Sequence, residues 1–296
     1  MISLRALAEL AAAHPEALTH PVAPLRLGGI QLDLDREPLV MGVVNLSRDS
    51  TYRDSIAVST VSAVRRARVM HANGAGLIDV GAESTTVSAS RVTEAEQIRT
   101  LVPVIEELST AGIPTSVEAY SPAVVRACLA AGASVVNLTG SAELEQIYGL
   151  AAEHGAAVIM CFVSGENVRE VADVELDGDP IPALHDYFAA RIEQARSLGV
   201  RDLVIDPGLG FYYGNLTDAR TRARHQARVL LHSFRLRTLG MPICQALPHA
   251  FDLFEEEFRT AEAFFAVVAR LGCANVLRTH EVPRVAAVLR ALAELD

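Results

Sequence analysis

The sequence predicts an α/β fold, namely a (βα)₈ TIM barrel preceded by an N-terminal β-hairpin. Eight short apolar runs alternate with longer stretches whose apolar residues recur at the helical spacing of i, i+3, i+4 and i+7. Six of these helical stretches end in a glycine, which favours the left-handed turn that closes a helix before a strand. Strands that are apolar throughout and alternate with helices indicate a parallel sheet covered on both faces. Eight such units can close into a barrel.

The chain begins with two smaller elements. Residues 1–24 predict an N-terminal helical extension, in which charges interrupt the apolar residues, so it does not resemble a secretory signal. Residues 25–34 alternate apolar and polar side chains around Gly28-Gly29, which is a hairpin signal. We expect this hairpin to close one end of a barrel that takes up residues 25–296.

Each predicted element follows from its own pattern. The β-rich runs are Leu39–Asn45, Leu77–Val80, Thr115–Glu118, Ser134–Leu138, Ala156–Phe162, Leu203–Asp206, Pro242–Gln245 and Asn275–Arg278. The clearest helical patterns are Ser59–Asn73, Thr93–Ala111, Pro122–Ala131, Pro182–Leu198 and Arg259–Leu271. An open doubly wound sheet is the main alternative, but no G-x-G-x-x-G follows the first strand.

Composition limits the classes of function. All 26 basic residues are arginine, which excludes a Schiff-base lysine or a P-loop lysine. The net charge of −10 argues against a nucleic-acid partner, and no apolar run is long enough for a membrane span. The four cysteines form no C-x-x-C pair, which favours reduced thiols in the cytoplasm. His225, His232 and His249 have no spacing typical of metal ligands.

The last residue or two of each predicted strand is polar in nearly every case. The eight residues at these positions are Asn45, Asp79, Glu118, Asn137, Cys161, Asp206, Gln245 and Arg278. Because the carboxyl ends of barrel strands form the active-site rim, we expect a polar pocket for a small molecule there. For any single residue, capping of the next helix stays open as an alternative. Together, Glu118, Asn137 and Asp206 suit a ligand edge rich in N–H donors.

These residues carry a resemblance to a known family. The runs Met41–Ser50 (MGVVNLSRDS), Ile78–Thr85 (IDVGAEST) and Ile205–Phe211 (IDPGLGF) resemble signatures of dihydropteroate synthases. The runs Ser116–Tyr120 and Arg278–Glu281 follow in the matching order. The resemblance spans about residues 25–294 and implies a pterin-binding barrel.

The resemblance also implies a reaction and a set of roles. Family members join p-aminobenzoate to a hydroxymethyl-dihydropterin diphosphate and release diphosphate, with Mg²⁺ bound. The expected catalytic residues are Glu118, Asp206 and Arg278. The expected substrate-binding residues are Asn45, Thr85, Glu118, Asn137, Asp206, Gln245, Arg278 and His280, with Asn45 also holding the magnesium. The family further implies a homodimer formed through outer helices.

This chain departs from the family at the positions that handle the leaving group. The usual Ser-Arg-Lys is replaced within Gln245–Ala250, and the arginine of the second loop is missing where Thr86 and Val87 stand. We therefore predict a dihydropteroate-synthase-like pterin-binding protein, a transferase with altered or reduced activity. Three alternatives stay open: an authentic dihydropteroate synthase using Arg48, Arg53 or Arg91, a non-catalytic pterin-binding paralogue, and a methyltetrahydrofolate-type methyltransferase.

Overall fold

The computed structural model describes residues 2–47, 57, 59–84, 90–167, 173, 178–210, 215–216 and 218–295. Two short helices come first, α1 (Leu4–Ala13) and α2 (Pro15–Thr19). The antiparallel hairpin of β1 (Leu25–Leu27) and β2 (Ile30–Leu32) follows. Gly28 and Gly29 both have positive φ, 56° and 84°, which is the backbone that a two-residue type I′ turn requires. The predicted hairpin is confirmed.

Eight parallel strands form the sheet, in agreement with the predicted count. They are β3 (Leu39–Asn45), β4 (Leu77–Gly81), β5 (Thr115–Ala119), β6 (Val135–Leu138), β7 (Ala157–Cys161), β8 (Leu203–Asp206), β9 (Cys244–Ala246) and β10 (Val276–Thr279). Each strand pairs with its sequence neighbour, and β10 pairs with β3. A single bridge, Ile205 to Ile243, joins β8 to the start of β9. The predicted barrel is confirmed.

Helices surround the strands. They are α3 (Thr60–Ala72), α4 (Glu94–Thr110), α5 (Pro122–Ala130), α6 (Leu144–His154), α7 (Pro180–Ser197), α8 (Ala219–His232), α9 (Phe251–Phe254), α10 (Ala261–Leu271) and α11 (Val282–Leu295). Two 3₁₀ helices, Ser233–Leu239 and Glu255–Thr260, lie before β9 and α10. Serine and threonine begin α3 and α4 with capping boxes, at Ser59 and Thr93. Among the described residues, no helix is long and apolar enough to cross a membrane.

The core has two layers. The larger layer packs the outward faces of the strands against the helices and includes Val44, Ile105 and Phe265. The smaller layer lies inside the barrel, where Leu25 and Leu27 of the hairpin pack with Met41 and the other inward residues. The hairpin therefore covers the amino-terminal mouth of the barrel, and the polar strand ends lie at the opposite mouth.

The glycines after the helices behave as predicted in five cases. Positive φ occurs at Gly74, Gly112, Gly132, Gly155 and Gly199.

The sixth glycine follows a different rule. Gly272 has a φ of −89°, and the left-handed residue after α10 is Cys273, with a φ of 60°. A Cβ on Gly272 would lie 1.8 Å from the carbonyl oxygen of Leu230. Glycine is required there because α8 approaches the backbone closely, so the expectation of a left-handed glycine at this helix end is wrong.

Candidate functional site

A set of polar side chains converges at the carboxyl-terminal mouth of the barrel. Laterally paired residues in a parallel sheet share a face, and Glu118 pairs with Asn137 while Cys161 pairs with Asp206. Cys161 and Asp206 are the last residues of their strands, and Glu118 and Asn137 are next to last in theirs. We call the set the polar cup; its members are Asp79, Glu118, Asn137, Cys161, Asp206 and Arg278.

Arg278 connects the two sides of the polar cup. Its Nε donates to Asp79 Oδ2 at 2.8 Å, and its terminal nitrogen Nη2 donates to the carboxylate of Glu118. The Nδ2 of Asn137 donates to the same Asp79 oxygen at 3.1 Å, and the Cys161 thiol donates to Asn137 Oδ1 at 3.2 Å. The other oxygen of Asp79, Oδ1, is buried without a hydrogen-bond partner within the described residues. A bound ligand could therefore donate to it.

Asp206 is held by the turn that follows its strand. The backbone N–H of Gly208 donates to Asp206 Oδ1 at 2.8 Å, and Gly208 has a φ of 79°, which glycine adopts without strain. Two residues later, a Cβ on Gly210 would come within 3.1 Å of Ala246 and 4.0 Å of the Arg278 guanidinium. The small residues leave room beside the charged groups.

Burial and like charges raise the pKa values of two of the carboxyl groups. Burial raises the pKa of Glu118 to about 7 and that of Asp206 to about 6, although Arg278 lowers both. Burial alone would lower the pKa of Arg278, but the charges of Glu118 and Asp79 raise it above its ordinary value. The polar cup thus holds three carboxyl groups around one guanidinium. Negative charge is in excess, and Glu118 and Asp206 titrate near neutral pH.

A second polar cluster lies beside this mouth, on the outer side of β10. It consists of His249 in the loop after β9, Glu262 in the first turn of α10 and His280 just after β10; we call it the histidine–glutamate cluster. His249 Nδ1 lies 2.9 Å and His280 Nδ1 lies 3.2 Å from Glu262 Oε1. Their ligand-capable atoms all lie within 4.8 Å of one another. His249, which has no spacing typical of metal ligands in the sequence, therefore lies beside two other groups that are capable of binding a metal.

The charge states of the histidine–glutamate cluster follow from its burial. Burial lowers the pKa of His280 to about 4, despite its hydrogen bond to Glu262. Burial alone would raise the pKa of Glu262, but the hydrogen bonds from His249 and His280 hold it well below its ordinary value. At neutral pH the cluster presents an ionised carboxylate and a neutral His280 imidazole.

Comparison with known proteins assigns the family. The sequence profile described as pterin binding enzyme matches residues 41–280. The chain belongs to the pterin binding enzyme family. It is 29% identical over 280 residues to a dihydropteroate synthase of Synechocystis sp., covering 90% of this chain and 93% of that protein.

Two further similarities agree with this assignment. A probable bifunctional folylpolyglutamate synthase/dihydropteroate synthase of Haloferax volcanii is 34% identical over 266 residues, which is 87% of this chain and 30% of that protein. The structure of Xanthomonas albilineans dihydropteroate synthase with 4-aminobenzoic acid gives a TM-score of 0.76 at 27% identity, covering 93% of this chain and 98% of that one. This member of the pterin binding enzyme family is thus dihydropteroate-synthase-like in sequence and fold.

The structure brings together four of the eight site residues that the sequence predicts for this family. Glu118, Asn137, Asp206 and Arg278 lie in the polar cup, at the mouth where the pterin binding enzyme signatures converge. Asp79 had no assigned role beyond its place at a strand end, and the structure puts it at the centre of the hydrogen bonds. Its signal in the sequence was a carboxylate inside an apolar strand.

The other predicted residues lie elsewhere. Asn45 ends β3 at the same mouth and is partly buried, and His280 belongs to the histidine–glutamate cluster. Thr85 lies outside the described residues. Gln245 pairs laterally with Leu277, an outward residue of the larger core layer, so its side chain faces the helices rather than the polar cup. The inward residues of β9 are Cys244, which packs inside the barrel, and Ala246, which pairs laterally with Arg278.

Proposed function

We propose that this protein binds a pterin-type heterocycle in the polar cup and acts as a transferase of the dihydropteroate synthase type, with reduced activity. The observation that carries the proposal is the convergence of Glu118, Asn137 and Asp206 at one mouth of the barrel. Families with this fold place their substrates at that mouth.

The charge balance of the polar cup supports a ligand that donates hydrogen bonds. Buried carboxylates are unfavourable unless donors satisfy them, and the raised pKa values of Glu118 and Asp206 reflect this cost. A pterin edge presents ring N–H and amino groups, which can donate to these oxygens and to the unsatisfied Oδ1 of Asp79. Asn137, with both a donor and an acceptor, suits a mixed amide-like edge.

The transfer step places different demands on the site. When the bond between the pterin methylene and the diphosphate breaks, positive charge develops on the methylene and negative charge on the leaving oxygen. Glu118 and Asp206 would stabilise the first, and Arg278 the second. The amine of the acceptor then forms the new C–N bond and releases a proton.

Magnesium is part of this proposal through Asn45. Mg²⁺ takes oxygen ligands and binds proteins through one or two side chains together with substrate phosphates, so a single amide oxygen at the end of β3 fits that pattern. When bound, the ion would neutralise diphosphate charge. Asn45 would hold it at the mouth of the barrel.

The reduced activity rests on the missing cations. The chain contains no lysine, and Arg278 already contacts both Asp79 and Glu118. Loss of one group that stabilises transition-state charge typically slows a reaction by about 10²–10³-fold. We therefore expect dihydropteroate formation to be slower than in an enzyme with the full set of cations by about a thousandfold or more.

The test separates binding from turnover. Calorimetry with a pterin should show binding by the wild-type chain, at least about tenfold weaker binding by Glu118→Gln, and no change in Asp202→Asn at the opposite mouth. Purified protein with hydroxymethyl-dihydropterin diphosphate, p-aminobenzoate and Mg²⁺ should form dihydropteroate slowly. Absence of pterin binding would overturn the proposal. Binding without product under any amine would indicate the non-catalytic paralogue, and binding of a methylated folate instead would indicate the methyltransferase.

One observation favours an authentic dihydropteroate synthase as the second candidate. Arg91 Nη1 donates to the Tyr120 hydroxyl at 2.8 Å, and that hydroxyl donates to Glu83 at the rim of the same mouth. This contact supports Arg91 as the replacement for a missing cation, while Arg48 and Arg53 lie outside the described residues. Rapid turnover that falls about a hundredfold in Arg91→Ala would support this candidate.

We extend the proposal to a homodimer in the cytoplasm. The exposed side chains of Phe264, Val267 and Leu271 form an apolar stripe along α10, an outer helix, which supports pairing there. All four cysteines are unpaired, as expected for a reducing compartment. Light scattering should give twice the mass of the chain, and Phe264→Glu should give the monomer. A wild-type monomer would contradict the dimer.

A further inference from the structure

We propose that the histidine–glutamate cluster is a binding site for a divalent transition-metal ion of the zinc class. The observation is the convergence of His249, Glu262 and His280, whose ligand-capable atoms lie within 4.8 Å of one another. The three residues come from three separate elements: a loop, the first turn of α10 and the end of β10. The inference does not depend on pterin binding in the polar cup.

The two distances to the Glu262 oxygen are close to those between ligands of one ion. Zinc bonds of about 2.0–2.2 Å in a tetrahedral arrangement place neighbouring ligand atoms about 3.3–3.5 Å apart. The Glu262 oxygen lies 2.9 Å from the nitrogen of His249 and 3.2 Å from that of His280. The two imidazole nitrogens lie within 4.8 Å of each other, so seating an ion would require small side-chain shifts that bring all three atoms to about 2.1 Å from one point. Three protein ligands leave the fourth tetrahedral position open.

The surroundings of Glu262 orient its carboxylate as metal sites require. Its Oε2 accepts hydrogen bonds from the backbone N–H of His280 at 2.8 Å and of Glu281 at 3.2 Å, and from the Thr279 hydroxyl. The other oxygen is thereby directed to the two imidazoles. Such outer contacts fix the geometry of metal ligands.

Burial of the Glu262 carboxylate among apolar residues is energetically costly without partners such as a metal ion. It lies on the buried face of α10 with Phe265 and Ala266, and its side chain is 1% exposed. A carboxylate on an apolar helix face must be compensated by partners. The Phe251 ring packs 5.3 Å from the His249 ring, whose side chain is 25% exposed. Apolar groups beside a metal site limit the access of solvent to it.

The ligand types indicate the class of ion. Two imidazoles and one carboxylate suit zinc and its transition-metal neighbours, whereas Mg²⁺ and Ca²⁺ prefer sites made only of oxygen. One carboxylate leaves a divalent ion with net positive charge, so the open position would take water or an anionic oxygen.

The experiment uses the full chain after removal of metal with a chelator. Calorimetric titration with Zn²⁺ should give one site per chain, and Co²⁺ should give the visible absorption of a low-symmetry site with nitrogen ligands. His249→Ala and His280→Ala should each weaken Zn²⁺ binding by about 100-fold or more. The matched control is His185→Ala, because His185 is a partly exposed histidine 3.8 Å from the Asp186 carboxylate and would reveal adventitious surface binding.

Folding is checked separately. His249→Ala removes one hydrogen bond to the buried Glu262 carboxylate, so this variant should unfold at a somewhat lower temperature than the wild type in chelator but still in one cooperative transition. Added Zn²⁺ should raise the unfolding temperature of the wild type and of His185→Ala but not of His249→Ala. The inference is overturned if the wild type binds no Zn²⁺, if His249→Ala binds it equally well, or if His185→Ala removes the binding. Pterin binding that persists in chelator would leave the function proposed for the polar cup intact.

Discussion

Replacing Asp206 with asparagine should make the ligand-free protein more stable and the ligand complex weaker. The Asp206 side chain is almost fully buried, and burial raises its pKa from 3.8 to about 6. Its ionised form is therefore unfavourable in the folded protein. A shift of about two pKa units corresponds to about 3 kcal/mol, because each unit is worth about 1.4 kcal/mol. Asparagine removes the charge and keeps an oxygen that can accept from Gly208.

The effect should depend on pH in a defined direction. A carboxyl group with a raised pKa favours the folded state below its unfolded value, near pH 4, and this advantage is lost as the pH rises through about 6. At about pH 8, Asp206→Asn should therefore raise the free energy of unfolding by about 1–3 kcal/mol. At about pH 4, where the carboxyl group is protonated, the gain should disappear. The gain at high pH equals the free energy of unfolding that the wild-type protein loses because Asp206 is buried and ionised.

The assay combines urea unfolding at both pH values with calorimetric pterin binding. Losing charge-assisted hydrogen bonds should weaken the pterin complex by about 10–100-fold. The control is Asp202→Asn, because Asp202 pairs with the half-exposed Arg26 at 3.0 Å at the other mouth. It should cost no more than about 1 kcal/mol and leave binding unchanged. The reasoning is refuted if Asp206→Asn is less stable than the wild type at high pH, or if it keeps full pterin affinity.

Two further predictions concern stability away from the polar cup. Gly272→Ala should destabilise the protein by about 3 kcal/mol or more, because the added Cβ would overlap the carbonyl of Leu230. Gly149→Ala, in an open part of α6, should instead stabilise the protein by about 0.5–1 kcal/mol. Thermal unfolding measures both variants, and equal effects would contradict the role of the close backbone approach at Gly272. Asp35→Asn should cost about 2 kcal/mol at neutral pH, because Arg237 donates to both Asp35 oxygens at 2.6 and 2.8 Å. Because Arg237 lowers the pKa of Asp35, the cost of this variant should shrink as the pH falls below about 4, and an unchanged cost in acid would refute it.

The sequence predicted the barrel because its strands are short apolar runs between helical periods. The larger layer of the core requires outward-facing apolar residues on every strand. The apolar runs in the sequence follow from that requirement. Gln245 shows where the pattern stops being informative. β9 has only three residues, Cys244–Ala246, so the alternation of faces cannot be phased from so short a run. The pairing of Gln245 with Leu277, which no local pattern reveals, decides its direction.

The histidine–glutamate cluster escaped prediction for a different reason. Spacing along the chain detects ligands that share one element, but His249 and His280 lie 13 and 18 residues from Glu262 and belong to other elements. One usable signal did exist. Glu262 falls at the helical spacing of Phe265 and Ala266, on the apolar face of α10. A charged residue on such a face indicates that other elements bring it a partner.

The excess of negative charge in the polar cup favours a ligand that donates hydrogen bonds. Asp79, Glu118 and Asp206 surround a single guanidinium, so folding alone leaves negative charge that Arg278 cannot neutralise. A purely structural cluster would be expected to replace one carboxylate with an amide, since each buried charge without a full set of partners is destabilising. Several N–H donors on a ligand edge would form hydrogen bonds with the buried carboxylates. The relief of their unfavourable burial would then contribute to the binding free energy. Under the proposed function, the cost of these buried charges is thus the physical reason for the affinity of the polar cup, and the same three carboxylates would disfavour ligands that present only acceptors.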